Sequence, residues 1–362
     1  MKNTLFLFFI LLTGLQLKVH SQEQSFLVLG DVHYDLLENH DMNWLSKKPD
    51  DLRQVTKEYT LFTQTNWKPF TQKLQQTVEK YNPKIKAVLQ LGDLSEGLAG
   101  SEEKADKMAR SIVNAIDETN LSVPWIIAKG NHDITGPGAH KAFDKYYLAM
   151  FRKQLNRNDI QSANYSHQIG ENLFVCVDPW DKTCDMLDFL EKTLEQSKAK
   201  YKFMLIHEPV IPVNERCWHV FRTMPEKREK LLEILAKNKV IVLAAHLHLF
   251  SVVKRNTQYG PIVQLMCNSV IKDATLNSSK RIFTEFGSVL AKERPDWQPK
   301  TMSERVRWLD EETPFVSYFK QQDLPGYGIL TTNPKMEEIF FEYYTLASDK
   351  PYDRICISDL LK

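Results

Sequence analysis

From residue 25 onward, short apolar runs alternate with longer stretches in which apolar residues recur every three or four positions. Unbroken apolar runs of strand length match strands buried on both faces, and the period of 3.6 matches helices lying over them. The runs fall at 26–29, 85–91, 123–128, 173–177, 203–206 and 240–244 and predict strands. Between them, helical faces are marked by Trp67, Phe70, Leu74 and Val78, and by Met108, Ile112 and Ile116. Leu187, Leu190 and Leu194 mark a third face, and Leu231, Leu232, Ile234 and Leu235 a fourth. Such alternation predicts an α/β protein with a largely parallel or mixed sheet covered by helices.

Beyond position 248 the helical stretches drop out, and 261–266, 328–332 and 337–345 read as strands in succession. The segment 163–177, interrupted by Gly170, Glu171 and Asn172, reads as a hairpin. Two packed sheets flanked by helices accommodate this change of rhythm better than one open sheet. The polar, proline-broken stretch 272–325 carries Trp297, Trp308, Phe315, Tyr318 and Phe319 and is expected to be an insertion packed on a domain spanning 22–362.

The first 21 residues differ from the rest. Lys2 precedes the apolar run 5–12, and Val19, His20 and Ser21 lead to Gln22. An apolar run of this length falls well short of the roughly 20 residues a bilayer span needs and suits a secretory signal cleaved near Ser21. The expectation is an exported protein, periplasmic or secreted, with no stable membrane span in its mature chain.

Lys+Arg number 47 against 46 Asp+Glu. That balance gives no electrostatic case for a nucleic-acid or anionic-membrane partner. Five cysteines, Cys176, Cys184, Cys217, Cys267 and Cys356, are too few and scattered for a disulfide scaffold or a thiolate metal site.

Candidate chemistry gathers where predicted strands end. Asp31 and His33 follow the first, Asp93 the second, and Asn131, His132 and Asp133 the third. His207 follows the strand at 203–206, and His246 and His248 follow that at 240–244. The carboxyl ends of strands are where α/β proteins place their sites. One Asp-x-His or one His at a strand end is ordinarily a turn or a hydrogen-bonded structural group, but five strands ending this way converge on one edge. Imidazole and carboxylate donors without thiolates suit zinc, manganese or iron.

Asp31-x-His33, Gly92-Asp93, Gly130-Asn131-His132-Asp133, His207 and His246-x-His248 occur in the order seen in calcineurin-like metallophosphoesterases, and the chain resembles that family over about residues 25 to 270. The resemblance implies a four-layer α/β/β/α sandwich with two mixed sheets and a binuclear centre that hydrolyses a small phosphomonoester or phosphodiester with a bridging hydroxide as nucleophile. By it, Asp31, His33 and His248 would hold one ion, Asn131, His207 and His246 the other, and Asp93 would bridge them. Paired cations suit the task because they stabilise both the attacking and the leaving oxygen of an in-line displacement.

His132 looks like the family's histidine that contacts phosphate and protonates the leaving alkoxide, with Asp133 or Glu96 as its orienting acid. Asn131 doubles as a substrate contact. The segment 92–97 lacks both the arginine of protein Ser/Thr phosphatases and the tyrosine ligand of purple acid phosphatases, and Ala245 stands where the family usually has glycine. Arg216 and His219, in the loop after His207, are expected to meet substrate, with Asn214, Trp218 and Arg222 nearby. Tyr34, Asn39, His40 and Trp44 are candidates for the opposite wall. His20, His140 and His167 read as incidental. The competing reading is an exported metal-binding or receptor-like module without turnover.

Overall fold

Along the central strands, successive side chains enter two different cores, and this divides the protein into layers. A computed structural model describes residues 22–362; the expected signal and its cleavage point near Ser21 lie outside the described residues. The chain begins with β1 (Gln24–Leu29), β2 (Ile85–Gln90) and β3 (Trp125–Ile127), mutually parallel neighbours in one sheet. It then builds a second sheet from β4 (Tyr165–Ile169), β5 (Asn172–Cys176), β6 (Tyr201–Leu205), β7 (Val240–Ala244), β8 (Phe250–Thr257), β9 (Gly260–Met266), β10 (Ile282–Phe283) and β11 (Val316–Gln322). It returns to the first with β12 (Tyr327–Asn333), β13 (Glu338–Tyr344) and β14 (Asp353–Cys356). The spatial orders are β14-β13-β12-β1-β2-β3 and β10-β11-β8-β9-β7-β6-β5-β4. Both sheets are mixed, since β12 lies antiparallel to β1 while β5, β6, β7 and β9 run parallel.

The two-residue period of a strand assigns the faces. In β6, Phe203 and Leu205 enter the core between the sheets, and Met204 enters the outer one. In β7, Ile241 and Leu243 point inward while Val240, Val242 and Ala244 point outward. Phe26 meets Phe174 edge-on at 4.7 Å and Phe250 stacks on Tyr343 at 4.2 Å, so aromatic pairs join the two sheets. Helices Met186–Gln196 and Pro225–Lys237 bury Leu190, Leu194, Leu231 and Leu235 against the outer face of the second sheet. Helices Tyr59–Lys80 and Glu102–Glu118 bury Phe70, Leu74, Met108 and Ile112 against the first. The result is the four-layer α/β/β/α sandwich with two mixed sheets.

Helix starts follow local chemistry. Ser101 Oγ accepts the Lys104 N–H at 3.2 Å, and Asp185 Oδ1 accepts the Leu187 N–H at 2.9 Å. The helix expected around 67–78 extends back to Tyr59 and continues a helical stretch from Pro49 through a wide π-type turn at Gln54–Glu58. This earlier part is polar and presents no apolar stripe. β8 and β11 also escape the pattern, because Lys254, Arg255 and Asn256 in one and Lys320, Gln321 and Gln322 in the other break the apolar run.

The segment 272–325 supplies β10 and β11 to one edge of the second sheet, and its helix Met302–Glu312 buries Leu309 in the outer core. Arg305, only 1% exposed, donates to the carbonyls of Trp297 at 2.7 Å and Glu215 at 2.5 Å, pinning the segment to the loop after β6. Glu312 accepts from Arg255 Nε at 2.6 Å and pairs with Arg228 at 2.9 Å.

Burial works to raise the Glu312 carboxyl, but Arg228 and Arg255 outweigh it and hold the group below its ordinary range. A depressed folded value contributes stability above the unfolded pKa of about 4.3 and loses it as pH falls through the folded value. Glu312→Gln is therefore expected to lower the melting temperature at neutral pH and to flatten its decline below about pH 4.5. Thermal melts from neutral to acid pH check this; a decline as steep as the wild type's would contradict it.

A candidate binuclear metal centre

The loops that leave β1, β2, β3, β6 and β7 meet at one end of the sandwich, and they touch. A Cβ on Gly130 would sit 2.1 Å from the Asp93 nitrogen, and one on Gly92, at φ +92°, would sit 2.6 Å from His207 Nδ1. Only glycine permits this approach. His33, Asp93, His246 and His248 themselves adopt left-handed backbone, at φ 46°, 51°, 73° and 52°. Strain of this kind is held only where surrounding contacts fix the chain. Ala245 is outside that region of φ, so the absence of glycine there costs nothing.

Three groups of side-chain donors converge, each with its atoms within 4.8 Å of one another: Asp31 with His33 and His248, Asp93 with His207 and His246, and His33 with Asp93 and His132. His33 Nε2 and His248 Nε2 lie 3.0 Å apart, as do His246 Nδ1 and His207 Nε2 at 3.1 Å. Asp93 Oδ2 is 2.9 Å from His207 Nε2 and 3.8 Å from His33 Nε2, between the two groups. Asn131 Oδ1 is buried without a hydrogen-bond partner among the described residues. Facing ring nitrogens, a shared carboxylate and an orphaned amide oxygen are what two cations would satisfy, so the donor set fits a pair of ions.

The remaining ring nitrogens have partners of their own. His207 Nδ1 donates to the Leu91 carbonyl at 2.8 Å, and His248 Nδ1 meets the Tyr59 hydroxyl at 3.0 Å. His33 Nδ1 lies 2.8 Å from Glu96 Oε2, though off the line a hydrogen bond requires. These partners turn Nε2 of His33, His207 and His248 inward, whereas His246 offers Nδ1 and has Nε2 4.0 Å from Glu208. The His246 amide donates to both oxygens of Asp31, at 2.9 and 3.1 Å.

Electrostatics divide the four rings: burial keeps three neutral, while the carboxylates beside His207 hold its proton on. Burial holds His33 below its usual value and His246 and His248 well below theirs, keeping the rings neutral. Burial also works to lower His207, but Asp93 and Asp31 outweigh it and carry that ring to about 10. Burial would raise Asp93, yet His207, His132 and His33 hold it well below the carboxylate range. Asp31 is pushed by burial up to about 6.

His132 sits at the mouth of this group. Its amide donates to Asp93 Oδ1 at 2.7 Å, and its Nδ1 meets the backbone carbonyl of Glu96 at 2.6 Å. The Glu96 carboxylate is 3.9 Å from that nitrogen and instead backs His33 and accepts from Gln54 Nε2 at 2.8 Å. Glu96 therefore orients His132 through its main chain rather than its acid group. Asp133, the other expected orienting acid, accepts from the amides of Ser95 at 3.0 Å and Gly130 at 2.9 Å and clamps two loops together.

Arg216 lines a cleft of about 470 Å³ together with His248, Tyr59 and Lys272. Trp218 leans on His246 at 5.3 Å. His219 does not join them: it is buried, bonds the Cys217 carbonyl at 2.8 Å, and with Arg222 lines a separate cavity of about 630 Å³. Burial lowers its ring to about 4. Nor do Asn39, His40 and Trp44 form a wall. His40 is buried against Asp35, Asn39 reaches Ser111 at 3.3 Å, and Trp44 packs with Leu45, while Tyr34 packs on Trp67 at 4.8 Å. His140 and His167 lie on a short helix and in β4, away from the site.

Gln54 and Tyr59, not singled out by sequence, reach the centre from the π-type turn and the start of the long helix. The Gln54 amide nitrogen is 3.5 Å from His132 Nε2, and the Tyr59 ring stacks on His33 at 4.4 Å. Neither carries a ligand-like spacing, and the sequence signal for them is nil.

Glu96→Gln tests the support of His33. Loss of the partner behind a ligating histidine typically costs about 10–100-fold in metal affinity. That loss is expected for one ion, while the His132 ring keeps its main-chain tether. Calorimetric metal titration reads it; two ions bound as tightly as in the wild type would contradict it.

The family described as calcineurin-like phosphoesterase matches residues 25–250. No curated protein matches the sequence. Among solved structures the chain is similar to purple acid phosphatase PPD1 from yellow lupin (Lupinus luteus) seeds, with a TM-score of 0.52 and 15% identity over 94% of this chain and 55% of that one. It thus spans about half the length of the lupin protein. It is similar also to a dimetal phosphatase from Danio rerio, with TM-score 0.50, 12% identity, and coverage of 92% and 98%. GAP50, the anchor in the inner membrane complex of Plasmodium, gives TM-score 0.50, 10% identity, and coverage of 92% and 88%. At these identities the likeness is one of fold. The family match covers well over half of the chain and includes every candidate ligand, and this chain belongs to the calcineurin-like phosphoesterases.

Proposed function

We propose that the chain hydrolyses a small phosphomonoester or phosphodiester outside the cytoplasm, with His132 as general acid. Asp31, His33 and His248 would hold one ion and Asn131, His207 and His246 the other, with Asp93 shared; manganese, zinc or iron suits these donors. When bound, such a pair supplies charge stabilisation at phosphate and a water acidic enough to attack near neutral pH. The observation that carries the reading is the convergence of the ligand groups on Asp93, with His132 tethered to the same carboxylate.

The protein's own groups do the rest. The His132 Nδ1 proton is committed to the Glu96 carbonyl, so Nε2 is the atom that delivers a proton to the leaving oxygen. Asn131 and Arg216 would gather the phosphate oxygens. Export rests on the segment 1–21, and the mature amino terminus, read by mass spectrometry after expression with secretion, tests it.

The decisive assay is hydrolysis of aryl phosphate and aryl phosphodiester by protein of known manganese, zinc or iron content. Metal-loaded protein that bound two ions and turned over neither ester, nor any nucleotide, would favour the alternative, an exported metal-binding or receptor-like module; GAP50 shows the fold in a protein described as an anchor.

A further inference from the structure

The cleft beside His248 has a wall that the catalytic reading does not use. β11 pairs antiparallel with β8, with Gln322 opposite Phe250 and Gln321 opposite Ser251. Because β8 begins directly after the His246-x-His248 loop, this register sets both glutamines at the end of the sheet nearest the metal ligands. Both line the cleft. Gln322 is 1% exposed and Gln321 7%, yet Gln322 Nε2, Gln322 Oε1 and Gln321 Oε1 have no hydrogen-bond partner among the described residues. A buried amide left unpaired carries the full cost of its lost hydration. As neighbours in one strand the two side chains leave on opposite faces of the sheet, and Gln322, with both amide atoms unpaired, is the one whose partners come from outside the chain.

The charges of the cleft sort into two sets. Arg281 pairs with Asp323 at 3.4 Å and Arg294 with Glu215 at 3.4 Å, so these arginines are neutralised within the wall. Arg216 and Lys272 have no carboxylate partner among the described residues. Arg216 lies over Trp218 at 5.1 Å and Lys272 over Tyr59 at 5.7 Å, and those rings flank His246 and His248. The free positive charge thus stands next to the ligands, where phosphate would lie. The neutral donors and acceptors stand farther out on β11, where a leaving group would lie.

The geometry points to a polyhydroxylated leaving group, a sugar or polyol phosphate, whose hydroxyls are read by Gln322 while Arg216 and Lys272 gather the phosphate. This rests on the phosphoesterase reading above and deepens it. A hydroxyl both donates and accepts, which matches the Gln322 amide, whose nitrogen and oxygen are both unpaired among the described residues. An acyl chain in the same place would strand those groups and the charged residues around them.

The test compares glucose-6-phosphate, adenosine monophosphate and p-nitrophenyl phosphate as substrates for metal-loaded wild type, Gln322→Leu and Gln322→Met. Leucine and methionine keep the side-chain bulk, and melting temperatures identify a variant that fails to fold. The ratio of kcat/KM for glucose-6-phosphate to that for the aryl ester is expected to fall about ten- to hundred-fold in either variant, chiefly through KM. With His132→Ala added to slow turnover, calorimetric binding of glucose-6-phosphate should weaken to match. A wild type that prefers the aryl ester, or variants that slow all three esters equally, would overturn the assignment and leave the phosphoesterase reading standing. A ratio that moves only for adenosine monophosphate would assign the amide to a nucleobase edge and overturn the polyol. If the loaded wild type cleaves none of the three, the underlying reading falls, and this one with it.

Discussion

His132→Ala is expected to retain both ions and lose about 100- to 10,000-fold in kcat, the usual contribution of a positioned proton donor. The ring groups with His33 and Asp93 but belongs to neither set assigned to the two ions: its amide bonds Asp93, and its Nδ1 is tethered to the Glu96 carbonyl. Alanine keeps the amide and so keeps the Asp93 contact. The deficit should be large for esters with poorly departing alkoxides and small for an aryl ester whose phenolate leaves without a proton. Steady-state kinetics on both kinds, with elemental analysis of the variant, read this outcome. An equal deficit on the two kinds of ester would remove His132 from the role of acid.

Asp93→Asn should do more damage and do it earlier in the chain of events, by emptying both halves of the site. The carboxylate faces His207 Nε2 at 2.9 Å and His33 Nε2 at 3.8 Å, and its other oxygen holds the His132 amide. Asparagine preserves the shape but removes the one negative charge common to both ligand groups. It also removes the main cause that lifts His207 to about 10. Activity should vanish together with metal content, measured on protein dialysed and reloaded. Matching metal loss in Asp93→Asn and His132→Ala would contradict the distinct places assigned to the two residues.

The ligands were readable because each follows an apolar run whose end fixes its position: once β1, β2, β3, β6 and β7 are placed, Asp31, Asp93, Asn131, His207 and His246 have nowhere to go but one edge. Residues in long loops lack that constraint. Arg216 and His219 are three positions apart, yet one lines the metal cleft and the other turns into a different cavity behind Trp308. Asp133 was legible as a loop acid but not as a clamp, because its partners are main-chain amides that no spacing reveals. The glutamines of β11 escaped for a related reason: a strand ending Lys-Gln-Gln looks like surface until its pairing with β8 shows what lies beneath it.

The four histidines assigned as metal ligands differ in reach. His246 offers Nδ1, the nearer ring nitrogen, while His33, His207 and His248 offer the farther Nε2. An amide oxygen at the end of a one-methylene side chain stands about where Nδ1 stands, and one at the end of a two-methylene side chain about where Nε2 stands. The centre already contains one short amide of this kind in Asn131. The imidazoles are therefore not exchangeable donors but two lengths of arm, one short and three long, and asparagine is the natural surrogate at position 246 as glutamine is at 33, 207 and 248.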